Sequence, residues 1–287
     1  MKTILILTDF TENAAHAALS GGMLSKQLHA NILLFNSSTV HAVAPVYAGG
    51  PTVIDEINLM EGENKEMLKK LADSLEPLLA QPGTDWKPSV HYEEGLGALA
   101  YQVKNLMAEK NIEMVVMGAR AGSGMDHFFS GSETFAVVDH STRPVLIVPE
   151  NAELNHIRKV VFATDFADAD IKAIQYLIKQ GELFNYRLEV VHVNLLGEDD
   201  ITHKVRKTEF MSQFHRHKFA NPEVKEVFGR DIADRLNKLC EESGADLLAF
   251  THYKNSWFSK LFGLSATKKA LTKQKLPALV FPPKFGE

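Results

Sequence analysis

Among its 287 residues the chain has one cysteine, Cys240. A lone thiol can form no internal disulfide and no cysteine metal cluster, so packing alone has to hold the fold. Cys240 closes the run Arg235-Leu-Asn-Lys-Leu-Cys240, an amphipathic helical pattern in which it reads as a small buried hydrophobe. Long apolar runs are missing too. The apolar start over 4–7 is cut by Asp9, short of a signal peptide and far short of the about 20 residues of a membrane helix. The expectation is a cytoplasmic protein with no membrane partner. Positive charge is not in excess: 31 basic residues stand against 36 acidic ones, a net charge of −5. That argues against nucleic acid as the main partner. There is no Gly-x4-Gly-Lys-[Ser/Thr] loop, so ordinary P-loop hydrolysis has no support.

What is present suits two globular units of about 100–150 residues each. Short apolar runs rich in β-branched residues, at 4–7, 32–35, 89–92, 114–117 and 145–148, alternate with helical patterns at 12–28, 64–79 and 98–110. Pro45, Gly49, Gly50 and Pro51 make 37–61 loop-like. The order then restarts, with strands at 160–163, 188–193, 224–227, 247–250 and 279–281 and a first helix at 168–184. Three local matches anchor the repeat. Thr8-Asp9-Phe10 recurs as Thr164-Asp165-Phe166, Arg143-Pro-Val-Leu-Ile-Val-Pro149 as Leu276-Pro-Ala-Leu-Val-Phe-Pro282, and Asn111-Ile-Glu-Met114 as Gly244-Ala-Asp-Leu247. Unbroken apolar strands separated by helices indicate parallel sheets covered on both sides. The fold class expected is α/β: two tandem Rossmann-like domains, 1–150 and 151–287, each a five-stranded, mainly parallel sheet with helices on both faces.

Open parallel sheets bind ligands beyond the carboxyl ends of their strands, where the strand order reverses. In the first half those ends carry Thr8, Asp9, Asn36 and Gly118. A glycine-rich segment follows the fourth strand: Gly118-Ala-Arg-Ala121-Gly-Ser-Gly124, then Gly131-Ser132-Glu133-Thr134. Glycines let backbone approach an anion, and free N–H groups at a helix start favour phosphate. The same Gly131-Ser132 pair also serves as a plain helix start and cap, and spacing alone leaves both readings open.

The strand ending in Thr-Asp-Phe, the Gly-x2-Gly-x9-Gly-Ser segment and the closing Pro-Val-Leu-Ile-Val strand resemble the universal stress protein family. The likeness covers both halves and is strongest over 115–149. It implies ATP or a related adenine nucleotide as ligand, with Asp9 near the ribose, Thr8 beside it and Asn36 near the adenine through its backbone. Met117 and Gly118 would lie under the nucleotide, and Gly131, Ser132 and Thr134 would hold the phosphates, accompanied by no metal beyond nucleotide-borne magnesium. It also implies that the last strands of the two halves lie side by side, an intrachain pseudo-dimer, and leaves a homodimer of such chains open. One position departs from the family: Ala121 stands at the second motif glycine. If that site needs positive φ or close phosphate approach, alanine costs about 1–2 kcal/mol, about tenfold in affinity. Glu133 places a carboxylate beside the phosphate position.

The second half has lost the motif. Thr251, Lys254, Trp257 and Leu264 stand at its glycine positions, and Asp165, Ser265 and Thr267 remain of the polar set. Tyr253, Trp257 and Phe258 would fill the nucleotide space or form a contact surface, while Lys254, Lys260, Lys268 and Lys269 make this end basic. Other patterns fail on position. Ser20-Gly-Gly-Met-Leu-Ser25 resembles a pyrophosphatase loop but lies inside the first helix, where close packing on the sheet explains its glycines. His203, His215 and His217 lack the i, i+4 spacing of a helical metal site. Asp9 and Asp165 are a domain apart and make no assumed catalytic pair. The leading expectation is a non-catalytic stress-response protein that binds an adenine nucleotide in its first domain, with 37–61 read equally as a lid or as a disordered segment. A nucleotide-independent scaffold acting through the second domain is the alternative, and a weak hydrolase ranks last.

Overall fold

The computed structural model describes residues 1–38, 53–80, 86–119, 132–150, 152, 154, 156–195, 201–216, 224–252 and 276–286. The first half runs β1 (Thr3–Leu7), α1 (Glu12–Leu28), β2 (Asn31–Ser38), α2 (Val53–Leu79), β3 (Val90–Leu96), α3 (Leu99–Glu109), β4 (Ile112–Gly118), α4 (Ser132–His140) and β5 (Val145–Val148). The second runs β6 (Lys159–Ala163), α5 (Asp168–Phe184), β7 (Arg187–Leu195), α6 (Ile201–Arg216), β8 (Val224–Gly229), α7 (Ile232–Ser243), β9 (Leu247–Thr251) and β10 (Ala278–Phe281).

All ten strands form one sheet in the order β3-β2-β1-β4-β5-β10-β9-β6-β7-β8. Each half is parallel throughout, and its order reverses between the first strand and the fourth. The halves meet where β5 and β10 pair antiparallel, Ala278 opposite Ile147 and Val280 opposite Val145. Each closing strand thereby covers the open edge of the other. Alternation along the strands splits the core. Ile4, Ile6, Val160 and Phe162 face one layer of helices, and Leu5, Leu7, Val161 and Ala163 face the other. Each apolar layer therefore runs through both halves. Among the described residues, no helix is long and apolar enough to cross a membrane.

The repeat extends to the helix ends. α1 and α5 are both 17 residues long, and both stop at a residue in the left-handed region, His29 (φ 49°) and Asn185 (φ 56°). The sheet entrances repeat a charge pair, Lys2–Glu113 at 3.7 Å and Arg158–Asp246 at 3.6 Å. Gly21 is explained by packing: a Cβ there would sit 2.7 Å from Cδ1 of Ile6, so a side chain at this position would force the buried Ile6 to shift. Cys240 is 3% exposed, and burial pushes its thiol up to about 12.

The expectation of a loop over 37–61 needs correction at both ends. Ser37 and Ser38 close β2 because β3 continues far enough to pair with them, at Gly95 and Leu96. α2 starts at Val53, directly after the Gly/Pro cluster, where Val53, Ile54 and Ile57 take up helical spacing. Residues 39–52, the centre of that segment, lie outside the described residues.

Candidate functional site

The end of β1 is shaped by a three-residue device. The Thr8 side chain Oγ1 accepts from the Phe10 N–H at 3.0 Å, and Phe10 takes φ 64°, a conformation that costs a non-glycine residue energy. Asp9 Oδ1 accepts from the Thr11 N–H at 3.2 Å and from the Thr11 hydroxyl at 2.6 Å. Thr11 in turn caps α1 by accepting from the Ala14 N–H at 3.2 Å. Across the sheet, Asn36 Nδ2 donates to the Thr8 carbonyl at 2.8 Å. The turn is thus fixed from both sides, and the first turn of α1 is aimed over the end of the sheet.

A cavity of about 720 Å³ opens there, at the strand-order reversal, within the size range of small-molecule sites. Thr8, Asp9, Asn36, Met117, Gly118 and Thr134 all line it. Six of the ten expected site residues are therefore brought together. Ser132 begins α4, the helix that carries Thr134. Ala121, Gly124 and Gly131 lie outside the described residues. Gly118 has a reason other than ligand approach: a Cβ on it would meet the Asn13 carbonyl oxygen at 2.9 Å and the Ala14 nitrogen at 3.1 Å. Its bareness lets α1 close onto β4.

Several lining residues were not picked out from the sequence: Asn13, Leu99, Glu12 and Glu150. Asn13 is 7% exposed, and its carboxamide oxygen is buried without a partner, a cost that a hydroxyl or amino donor on a ligand would offset. A polar residue in the first turn of a helix was its only sequence signal. The described lining carries four carboxylates, Asp9, Glu12, Glu133 and Glu150, and neither lysine nor arginine.

The second copy keeps the frame but surrounds it differently. Thr164 Oγ1 accepts from the Phe166 N–H at 2.9 Å, with Phe166 at φ 62°. His192, in the register position of Asn36, lies with Nδ1 2.7 Å from the Thr164 carbonyl. Here, however, Phe166 is buried, stacked on His192 at 4.4 Å and packed on Phe210 at 5.3 Å. Asp170, where the first copy has Ala14, receives the Thr164 hydroxyl at 2.7 Å and is 1% exposed. Burial, and then the neighbouring Asp165 carboxylate, raise its pKa from 3.8 to about 7. Thr251 takes the place of Gly118; its hydroxyl is close enough to favour the Asp170 charge but is left without a hydrogen bond of normal geometry. The aromatic and basic residues expected to occupy this end, Tyr253 to Lys269, lie outside the described residues. Of the three histidines set aside as ligands, His217 does too, and no metal-binding group of three or more His, Cys, Asp or Glu occurs among the described residues.

A family model described as "Universal stress protein family" matches residues 1–149 and again 156–282. A curated universal stress protein of Methanocaldococcus jannaschii is 26% identical over 148 residues, which are 51% of this chain and 81% of that one. Among solved structures, a universal stress protein from Archaeoglobus fulgidus aligns over 98% of this chain and 96% of its own, at 18% identity and a TM-score of 0.65. A functionally unknown protein from Pseudomonas aeruginosa aligns over 98% and 92%, at 13% identity and a TM-score of 0.55. Both share the whole tandem fold.

Proposed function

Because the chain belongs to the universal stress protein family, we propose that it is a cytoplasmic stress-response protein whose first copy, residues 1–150, binds ATP or another adenine nucleotide and acts without catalysis. The observation that carries this reading is the convergence of Thr8, Asp9, Asn36, Met117, Gly118 and Thr134 on one cavity at the strand-order reversal. Asp9 and the orphaned Asn13 carboxamide suit a sugar or base with donors to give. The first turns of α1 and α4 offer N–H groups and positive helix ends to phosphate, with Ala121, Gly124, Gly131 and Ser132 completing the phosphate segment. Four lining carboxylates oppose a bare triphosphate, so ATP would enter with magnesium shielding its charge. The second copy, residues 151–287, serves as a partner domain with Asp170 and Phe166 in place of a ligand.

Binding would stabilise the liganded tandem, by about 2.7 kcal/mol at a ligand concentration of 100 Kd. Denaturing the purified protein and separating the supernatant by anion exchange tests the reading. Stoichiometric adenine nucleotide, or a rise in Tm with millimolar Mg-ATP that Gly131→Val abolishes, supports it. An empty protein with no shift sinks it. Time-dependent ADP release lost in Asp9→Asn would assign a hydrolase instead.

A further inference from the structure

α4 is nine residues long and has different neighbours at its two ends. At its first turn Glu133 and Thr134 line the cavity of the first copy. Further along, Phe135 and Asp139, four apart and so on one side of the helix, touch the second copy. Asp139 Oδ1 lies 3.2 Å from Nε2 of His252, and the Phe135 and His252 rings are 5.8 Å apart.

His252 is built in firmly. It follows β9 directly, and its backbone N–H donates to the Phe281 carbonyl at 2.8 Å, inside the central sheet. The residue is 7% exposed, and its Nδ1 has no partner. Burial lowers its pKa against the pull of Asp139, so near neutral pH the ring is uncharged. With its one N–H on Nε2, the ring turns that N–H edge toward the carboxylate, and Nδ1 is left without a partner. The contact is a close polar one, a ring nitrogen 3.2 Å from a carboxylate oxygen at the join of the two copies.

A nine-residue helix has little stability of its own and is placed by what it packs on. Val137 and Val138, both fully buried, fix its depth in the first copy; the Asp139–His252 and Phe135–His252 contacts set it against the second. At about 1.5 Å rise per residue, the cavity residues lie less than about two turns from those contacts, so displacement at one end is felt at the other.

We propose that Asp139 and His252 are a positioning pair: through them the second copy holds α4 so that Thr134 stands at the first-copy cavity, and ligand uptake in the first copy is thereby coupled to the second. The proposal rests on the reading of that cavity as a nucleotide site. Coupling of this kind is reciprocal, so bound nucleotide must also steady the pair. It also gives the second copy a task.

The test uses the full chain, Mg-ATP as probe, and calorimetric titration alongside amide hydrogen exchange over residues 247–252. Asp139→Ala and His252→Leu remove the contact; Asp139→Asn and His252→Gln keep an acceptor or a donor in place. Each breaking variant is expected to weaken Mg-ATP binding by roughly five- to tenfold, and the double variant no more than either alone. Asp139→Asn and His252→Gln recover most of the loss. Mg-ATP slows exchange at 247–252 in the wild type but not in Asp139→Ala. A merely structural role would lower Tm and leave affinity and the exchange response unchanged. Equal affinities in all variants, or single effects that multiply in the double variant, overturn the proposal. If His252→Leu fails to fold, the exposed Asp139 position carries the test alone. A wild type that takes up no Mg-ATP shows the failure of the underlying site reading, visible before any variant is compared, and the coupling falls with it.

Discussion

The ends of β1 and β6 have the same backbone turn and different surroundings. Both carry Thr-Asp-Phe, both bend the phenylalanine to positive φ under a threonine hydroxyl, and both tie the threonine carbonyl to a side chain of the next strand. In the first copy a cavity opens beside the turn; in the second the turn carries a stacked Phe166–His192 pair and a buried carboxyl. The shared turn is thus a property of the fold, kept where the residues around it differ. Around that shared turn the copies differ at a few positions: Ala14 against Asp170, Gly118 against Thr251, Asn36 against His192.

The largest effect is expected at Asp170. Its carboxyl holds a proton up to about pH 7 in the folded state but only to about 3.8 when unfolded. The folded chain therefore binds more protons across that window, and stability falls as pH rises through it. The loss is on the order of 3 kcal/mol between pH 5 and pH 8. Asp170→Asn should flatten that slope and stabilise the protein at pH 8. Urea melts of both proteins at the two pH values check this; parallel slopes would refute it.

Gly118→Val comes next. A side chain there must displace the first turn of α1, at a cost of about 2–3 kcal/mol, and should abolish nucleotide uptake. Thr251→Val, the same residue in the other copy, should cost under about 1 kcal/mol, because it removes a hydroxyl without a proper partner. Melting temperatures of the pair would show whether the asymmetry is real. Ala121→Gly should tighten Mg-ATP by up to about tenfold if that position needs a glycine, read by titration; unchanged affinity would show that it does not. The smallest difference lies in the caps. α1 has Thr11 at its start, while α5 starts at Ala167 with no side-chain bond. Thr11→Ala should cost about 1 kcal/mol and Ala167→Ser gain about 0.5 kcal/mol, measurable by denaturant melts.

The architecture was legible because it rests on local pattern. Alternating apolar runs, the Thr-Asp-Phe recurrence and the repeated closing strands specify two copies without reference to contacts. Gly21 could be read as packing, since it sits inside a helical run. The contents of the two sites were less legible. Asp170 looks in the sequence like an acid suited to the first turn of a helix, and nothing local says that it is buried under Thr164. Asn13 and Glu150 enter the cavity through tertiary placement alone. Asp139 and His252 are far apart along the chain, on different elements of different copies, and no periodicity links them. The start of α2 at Val53 was obscured by the Gly/Pro cluster before it, which weakened the helical signal of the residues that follow.

The antiparallel seam between β5 and β10 has a consequence for how such a molecule can change. When two separate identical subunits associate, every substitution appears on both sides of the axis, and a change that closes one pocket closes the other. Here the two sides are encoded separately and cannot exchange partners, so their ratio is fixed at synthesis. A substitution such as a buried acid at position 170 alters one side only, and the mixed assembly it creates never has to be sorted from symmetric ones.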